Sequence, residues 1–198
     1  MKTEGIRTAP LGMLFLCLFT GGCIVPESTH VEPNFYLLSS VETDYNSTEF
    51  KDFPIFYLRE VRLPTFLREN RLVAKPSAQR IEFRERHRWG EPLDEGIARV
   101  VGQNLRTYLN TLSYSVFPHR MKANCDWELD LVFSNFQLQN KNTVFIQGHC
   151  EIRSADGITK IHAFEETRNF TGSSESDEVK ALSMSLARLS RNLSDVMR

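Results

Sequence analysis

Cys23 is the residue of this sequence whose surroundings most clearly predict a covalent modification. It follows the small pair Gly21-Gly22 and a short apolar run, Leu11–Phe19, which comes after a basic stretch. These are the parts of a secretory signal, and the run is shorter than the ~20 apolar residues that span a bilayer. Two small residues before a cysteine resemble a bacterial lipobox, whose cysteine becomes the first mature residue and carries fatty acyl chains such as palmitate. Thr20 stands where a lipobox usually has leucine, so an ordinary secreted chain remains the alternative.

Patterns that would supply a catalytic centre are missing from the sequence. It contains no G-x-S-x-G nucleophile motif, no phosphate-binding P-loop and no H-E-x-x-H zinc motif. The acidic pairs Asp94/Glu95 and Glu165/Glu166 consist of neighbouring residues whose side chains point apart, so neither predicts an acid–base pair. We therefore predict that the chain is not an enzyme and needs no metal or other cofactor.

The histidines do not form a metal-binding pattern. His87, His119, His149 and His162 are far apart in sequence, and no cysteines have the C-x-x-C spacing of a zinc site. His149 and His162 lie on strands predicted to be neighbours, where they could meet as a solvated surface pair. An exported hydrolase is the less favoured hypothesis, and a cleft containing His87, His119 or Glu91 would support it.

The densest charge lies in residues 84–89, Arg-Glu-Arg-His-Arg-Trp, which we call the arginine segment. Its candidate contacts with a partner are Arg84, Arg86, Arg88 and Trp89. One interpretation is binding to lipid phosphate or to an acidic partner, with the tryptophan as an anchor. The other is an exposed strand edge whose charges prevent edge-to-edge aggregation. For Trp89 we expect burial against the start of the next helix.

The composition is that of a globular protein without a preference for nucleic acid. Hydrophobic residues make up 41% and charged residues 25% of the 198 residues, and the net charge is −1. Residues 1–22 hold two basic residues and one acidic residue, so their removal changes the net charge from −1 to −2. Neither nucleic-acid binding nor a polybasic membrane surface is expected from this balance.

Three regions are predicted along the chain. Residues 1–22 are the lipoprotein signal peptide, residues 23–34 are the acylated N-terminus and a tether, and residues 35–198 are one domain. The tether contains two prolines and several polar residues, and its residues 24–34 could extend over roughly 36–40 Å. The domain would then remain near the membrane that holds the acyl chains.

In the first half of the domain, the pattern predicts four strands. Phe35–Leu38 is a short apolar run typical of a buried strand. Ile55–Leu63 is rich in β-branched and aromatic residues and should end at Pro64. Two further strands, Arg71–Ala74 and Arg80–Arg86, should form a hairpin about Pro76-Ser77.

The second half should contain three long strands. Apolar residues alternate with polar ones from Trp127, and the phase then slips by one residue, which predicts a β-bulge near Ser134-Asn135. The next strand should turn back at Asp156-Gly157. If the first hairpin turn centres on Lys141, Cys150 lies opposite residue 132. Cys125 is then about 23 Å further along at ~3.3 Å per residue, so a disulfide is disfavoured unless the segment folds back.

Two helices complete the domain. Glu91–Leu112 has apolar residues at three-and-four spacing and a proline in its first turn. The last helix should start at Ser174, and its apolar residues from Val179 to Val196 favour packing on the sheet over a coiled coil. The predicted fold class is α+β, a single domain with a largely antiparallel sheet and two long helices packed on one face.

Nearly the whole of the predicted mature chain resembles a known family, with the C-terminal third the least diagnostic part. The residues that carry the resemblance are Arg71-Leu72-Val73, Arg80-Ile81-Glu82-Phe83, His87-Arg88-Trp89-Gly90-Glu91-Pro92-Leu93, Ile97-Ala98-Arg99-Val100-Val101 and Asn104-Leu105. They are similar to the ABC-type transport auxiliary lipoprotein family, which includes the outer-membrane lipoprotein of the paraquat-inducible (Pqi) intermembrane transport system. Phe35–Leu38, Val61–Pro64 and the lipobox-like end of the signal agree with it in order.

The resemblance implies an accessory role in moving lipids between the two membranes of a Gram-negative envelope, by docking and positioning. The implied partners are an MCE-domain protein, membrane permease subunits and, in some systems, an ATPase; a homo-oligomer is left open. Ile24 after Cys23 implies sorting to the periplasm-facing leaflet of the outer membrane. The family has no catalytic residues, so only Cys23 is carried over, as the lipid attachment site. A self-assembling structural envelope lipoprotein is the alternative.

Overall fold

The computed structural model of the protein describes residues 31–42, 54–119 and 124–198. Within these ranges it contains eight strands, two α-helices and a short 3-10 helix (Thr65–Leu67). The strands and α-helices follow in the order β1 (Asn34–Tyr36), β2 (Phe56–Arg62), β3 (Arg71–Ser77), β4 (Arg80–Trp89), α1 (Leu93–Leu109), β5 (Tyr114–Val116), β6 (Trp127–Asn140), β7 (Thr143–Ser154), β8 (Thr159–Asn169) and α2 (Glu175–Val196). The eight strands form one open sheet, and the predicted α+β class is confirmed.

Strand β6 is the centre of the sheet. One of its edges pairs with β7. The other edge pairs with β2 along residues 127–132 of β6 and with β3 at Leu138. The long β3–β4, β6–β7 and β7–β8 pairings are antiparallel, and the shorter pairings of β1 with β4 and β2 with β5 are parallel. Because the path runs β1-β4-β3-β6-β7-β8, β1 and β8 lie at opposite free edges.

The predicted β-bulge is present in β6. Phe133 lies opposite Gly148 and Asn135 lies opposite Gln147, so Ser134 is the extra residue. The bulge keeps Leu129, Leu131 and Phe133 on the same face as the later residues Phe136 and Leu138, and all five are buried. A sheet with one apolar face and one polar face follows from this shift.

Helix α1 is shorter than the pattern predicted. It begins at Leu93, directly after Pro92, and Asn110 ends it in the left-handed conformation, with φ of 52°. The predicted end at Leu112 was wrong, and that side chain is 53% exposed. Asparagine tolerates this conformation better than most residues, so Asn110 ends the helix before Leu112. The apolar face from Leu93 to Leu109 is buried as expected.

Helix α2 begins where the sequence predicted. The Ser174 side chain accepts a hydrogen bond from the Asp177 backbone N–H, and the Asp177 carboxylate accepts one from the Ser174 N–H. This reciprocal capping box stabilises the first turn. The predicted apolar stripe is buried against α1 and the sheet strands β6–β8, which confirms packing within the domain. Neither helix of the described residues is long and apolar enough to cross a membrane.

Two local predictions were wrong. Of the expected buried strand 35–38, only Leu38 is buried, because β1 is a three-residue edge strand. The β3–β4 hairpin turns at Ala78 and Gln79, while Pro76 lies inside β3 at an irregularity between Ala74 and Ser77. Proline cannot donate to the ladder, so it fits at such an irregularity without ending the strand.

Cys125 and Cys150 are both free thiols. Cys150 lies opposite Leu131 in β6, one residue from the predicted position because of the bulge. Cys125 precedes the start of β6 and is thus separated from Cys150 along the ladder. Burial, with the nearby Asp130 and Glu151, raises the pKa of the Cys150 thiol far above its usual range, so this cysteine is an inert core residue.

Candidate functional site

The predicted lipid attachment site, Cys23, lies outside the described residues. The predicted signal and most of the tether also lie there, up to residue 30. The described part of the chain begins at Val31, and β1 begins at Asn34. Acylation of Cys23 therefore remains a prediction, and β1 is the first strand of the described part of the chain.

The arginine segment is divided between the two faces of the sheet. Leu72 lies opposite Arg84 but Arg71 lies opposite Arg88, so β4 bulges between these two arginines. On the parallel partner β1, Tyr36 lies opposite Trp89 and Phe35 lies opposite Arg88. Since alternate residues of a strand point to opposite faces, Trp89 and His87 share the helix-covered face, while Arg86 and Arg88 point to the other.

Arg84 connects β4 to the first turn of α2. Its Nη1 lies 2.8 Å from Oε2 of Glu178 and 3.4 Å from Oε1 of Glu175. The Glu178 side chain is 3% exposed, whereas those of Arg84 and Glu175 are partly exposed. Burial raises the pKa of Glu178 to about 7; Arg84 lowers it and Glu175 raises it, but burial is the larger effect.

His87 and Tyr36 continue this cluster towards the sheet edge. The hydroxyl of Tyr36 is 2.9 Å from Nδ1 of His87, and Nε2 of His87 is 3.5 Å from Oε1 of Glu175. Burial, followed by the charge of Glu175, raises the pKa of Tyr36. The cluster thus joins β1, β4 and α2 through polar contacts and holds the edge strand in place.

The other candidate contact residues differ in their surroundings. Trp89 is 7% exposed and belongs to the hydrophobic core. Arg88 is half-buried, and its Nε is 3.5 Å from the carbonyl oxygen of Glu85. Arg86 is exposed and makes no ion pair with any residue in the described ranges. Within the arginine segment, Arg86 and Arg88 therefore have the charges accessible to a partner.

The Arg84–Glu178 contact predicts a pH-dependent effect of Arg84→Met. The pKa of Glu178 is higher in the folded chain than its ordinary value of 4.5. Its stabilising contribution is therefore fully present below pH 4.5 and is lost as the pH rises through about 7. Without Arg84, ionised Glu178 has no adjacent cation, so we expect a loss of about 2 kcal/mol in unfolding free energy at high pH, and less at low pH.

Urea denaturation at about pH 5 and about pH 8.5 would measure this difference, since the two conditions lie on either side of the Glu178 pKa. The double variant Arg84→Met/Glu178→Gln is the matched control, and it should lose less stability than Arg84→Met at the higher pH. Equal losses at both pH values would contradict the interpretation.

The histidines do not assemble into a catalytic group. His149 lies opposite Ala163 and His162 lies opposite Cys150, so the two histidines point to opposite faces and the expected surface pair does not form. A groove of about 340 Å³ between β8 and α2 contains His162 but none of the three residues named for a hydrolase. Among those three, Glu91 is ion-paired with Arg99, 2.5 Å away. No group of three or more metal-ligating side chains occurs in the described ranges.

The family model described as "ABC-type transport auxiliary lipoprotein component" matches residues 36–194, from the end of β1 to the last turns of α2. The chain belongs to this family. No protein with a curated description matches its sequence.

Two crystal structures share the fold of this chain. One, of an uncharacterised protein, superposes with a TM-score of 0.72 at 17% identity and covers 85% of this chain and 100% of its own. The other, protein XCC0632 from Xanthomonas campestris, has a TM-score of 0.63 at 11% identity and covers 81% of this chain and 92% of its own. At these identities the similarity concerns the fold alone.

The partners of the arginine segment were not identified from the sequence. Glu178 precedes Leu182 by four residues and so lies on the apolar stripe of α2. A carboxylate on such a stripe is a signal that a cation from another element must meet it. Which cation it is depends on the bulge of β4 against β3, which the sequence pattern does not specify.

Proposed function

We propose that this chain is an outer-membrane lipoprotein, held by acylated Cys23 and facing the periplasm, that serves an MCE-domain lipid transport system. Its role there is to dock and position components of the transport system, without catalysis. The family match over residues 36–194 is the observation that carries the proposal. The implied partners are the MCE-domain protein, the membrane permease and, in some systems, the ATPase.

The arrangement of charged groups supports docking over chemistry. Arg84, His87 and Glu175 are used to attach β1 and β4 to α2, and Glu91 is paired with Arg99. These contacts give Arg84 and His87 of the arginine segment a structural role, the attachment of the strands to α2. Arg86 and Arg88 lie beside these contacts and point outward. Such a domain can present a fixed surface to a partner without moving a proton or binding a metal.

Affinity purification of the full mature lipoprotein from cross-linked, detergent-solubilised envelopes would test the proposal. We expect an MCE-domain protein and a permease subunit to copurify with it. An unrelated outer-membrane lipoprotein carrying the same tag is the control, and it should recover neither. Recovery of only further copies of this chain would favour a self-assembling structural lipoprotein and would contradict the transport role.

A further inference from the structure

Two large apolar side chains remain exposed at the edge of the sheet, one within β1 and one directly after it. Phe35 is 63% exposed and Leu37 is 58% exposed, although the described domain buries most of its other large apolar side chains. They are two residues apart, so they project from the same side of the chain. Single exposed apolar residues are common, but two adjacent ones on a free sheet edge form a surface that contact with an apolar phase would stabilise.

The strand pairing places cations beside these apolar side chains. Phe35 lies opposite Arg88, and Arg86 is two residues before Arg88 on the same strand. A hydrogen bond of 2.9 Å from the Gly90 N–H to the Tyr36 carbonyl oxygen continues the pairing, and the Leu37 side chain lies over Gly90. We call Phe35, Leu37, Arg86 and Arg88 the β1-edge surface.

The acidic residue next to Arg86 on β4 is paired with an arginine of β3. Glu85 is bound by Arg71, which also contacts Glu69 at 3.4 Å. Arg86 forms no ion pair within the described ranges. The surface therefore combines two apolar side chains with two guanidinium groups, which bind phosphate well.

This combination matches the chemistry of an anionic bilayer interface. At such an interface, apolar side chains enter the boundary of the acyl region while basic side chains remain among the headgroups. Each arginine close to an anionic leaflet adds electrostatic attraction. We propose that the β1-edge surface rests on the anionic lipid leaflet to which the chain is anchored, as a second contact beside the acyl chains.

The position of the surface in the chain favours the membrane as its occupant. This inference rests on the proposed anchoring of Cys23, because β1 begins eleven residues after it. A link of only about ten residues keeps the surface close to the anchored membrane, so even a weak contact is occupied. Acyl chains alone would hold the domain without fixing its orientation, and the second contact fixes it.

The contact would orient the rest of the sheet. β1 and β8 lie at opposite free edges, so a domain resting on β1 directs β8 away from the bilayer. Ile161 on β8 is 71% exposed. It provides an exposed apolar position of similar character that should remain in water, and it serves as the matched control.

Tryptophan fluorescence of the full acylated chain in vesicles would test the contact. The protein is reconstituted into phosphatidylethanolamine–phosphatidylglycerol vesicles as the Phe35→Trp or the Ile161→Trp variant, with the wild-type signal subtracted. We expect the emission of the tryptophan at position 35 to shift to shorter wavelength and to be quenched by brominated lipid. The tryptophan at position 161 should show neither change. Adding Arg86→Gln and Arg88→Gln should reduce the quenching at position 35 by more than half.

The outcomes separate this contact from the anchoring. Flotation of the protein with the vesicles reports the anchor, whereas quenching at position 35 reports the contact. Floating protein without quenching at position 35, or with equal quenching at positions 35 and 161, would overturn the contact and leave the anchor intact. If the chain carries no acyl group, the free Phe35→Trp chain is titrated with the same vesicles instead. The absence of an emission shift in that titration would also overturn the contact. A shift that depends on protein concentration but not on brominated lipid would assign the surface to a second copy.

Discussion

Replacing Cys23 with alanine is expected to move the protein from the outer-membrane fraction to the soluble periplasmic fraction. The anchoring energy of an acyl chain is about 0.8 kcal/mol per buried CH₂ group, and one chain binds only marginally, so several chains are needed for a stable anchor. All of them depend on the thiol and the new N-terminus of Cys23. Membrane fractionation with immunodetection of the full chain measures the change.

The control for this experiment is Cys17→Ala. Cys17 lies in the predicted signal peptide and is expected to be removed with it, so its replacement should leave membrane retention unchanged. A wash at high ionic strength would remove Cys23→Ala protein held only by electrostatic contacts, because salt screens exposed charges. Retention of the washed Cys23→Ala protein in the outer membrane would contradict the anchor.

Gly148→Ala is expected to cause a large loss of stability, because an added methyl group would collide with backbone atoms. A Cβ at position 148 would lie 2.0 Å from the carbonyl oxygen of Val132 and 3.0 Å from the Cα of Phe133, which are backbone atoms at the β6 bulge. It would also lie 2.9 Å from the ring of Phe164 on β8. Because backbone atoms cannot move aside cheaply, we expect a loss of about 3 kcal/mol or more.

Gly90→Ala is the matched control for that variant. A Cβ at position 90 would lie 3.2 Å from a methyl group of Leu37, which is exposed and can adopt another rotamer. We expect a change of less than about 1 kcal/mol there. Thermal unfolding followed by circular dichroism would compare the two, and 3 kcal/mol corresponds to a melting temperature lower by roughly 6–12 °C. Equal melting temperatures would show that the bulge relaxes around a methyl group.

The ladder of β6 and β7 shows how far the sequence predicts the fold. The one-residue phase slip after Phe133 is a local pattern, and it located the bulge correctly. The serine cap and apolar stripe of α2 are also local, and they located that helix. Such features are predictable because a bulge or a cap depends on residues close together in the chain.

The parallel pairings could not be predicted in the same way. β1 pairs with β4 and β2 pairs with β6 across long separations, and no turn between them fixes their register. The run Phe35–Leu38 was predicted as a buried strand because its composition is apolar, but its position at the sheet edge leaves Phe35 and Leu37 exposed. Composition indicates that a segment is apolar, whereas the strand pairing decides which of its side chains are buried in the core and which are exposed to solvent.

The arginine segment was also predictable only in its local features. The arginine segment was visible in the sequence as a charged cluster, but the sequence could not show that Arg84 and His87 turn inward while Arg86 and Arg88 point away. That division arises from the bulge in β4 and from the carboxylates of α2, about ninety residues later in the chain. Tertiary pairing thus decides which charges are structural and which remain accessible to a partner or a lipid.

Intact-mass and peptide mass spectrometry of the protein isolated from its native membranes tests the central claim most directly. We predict a mature chain that begins at Cys23 and carries fatty acyl chains on that residue, with no peptide from residues 1–22. A processed chain with an unmodified N-terminus, recovered free in the periplasmic fluid, would contradict both the anchor and the docking role that depends on it.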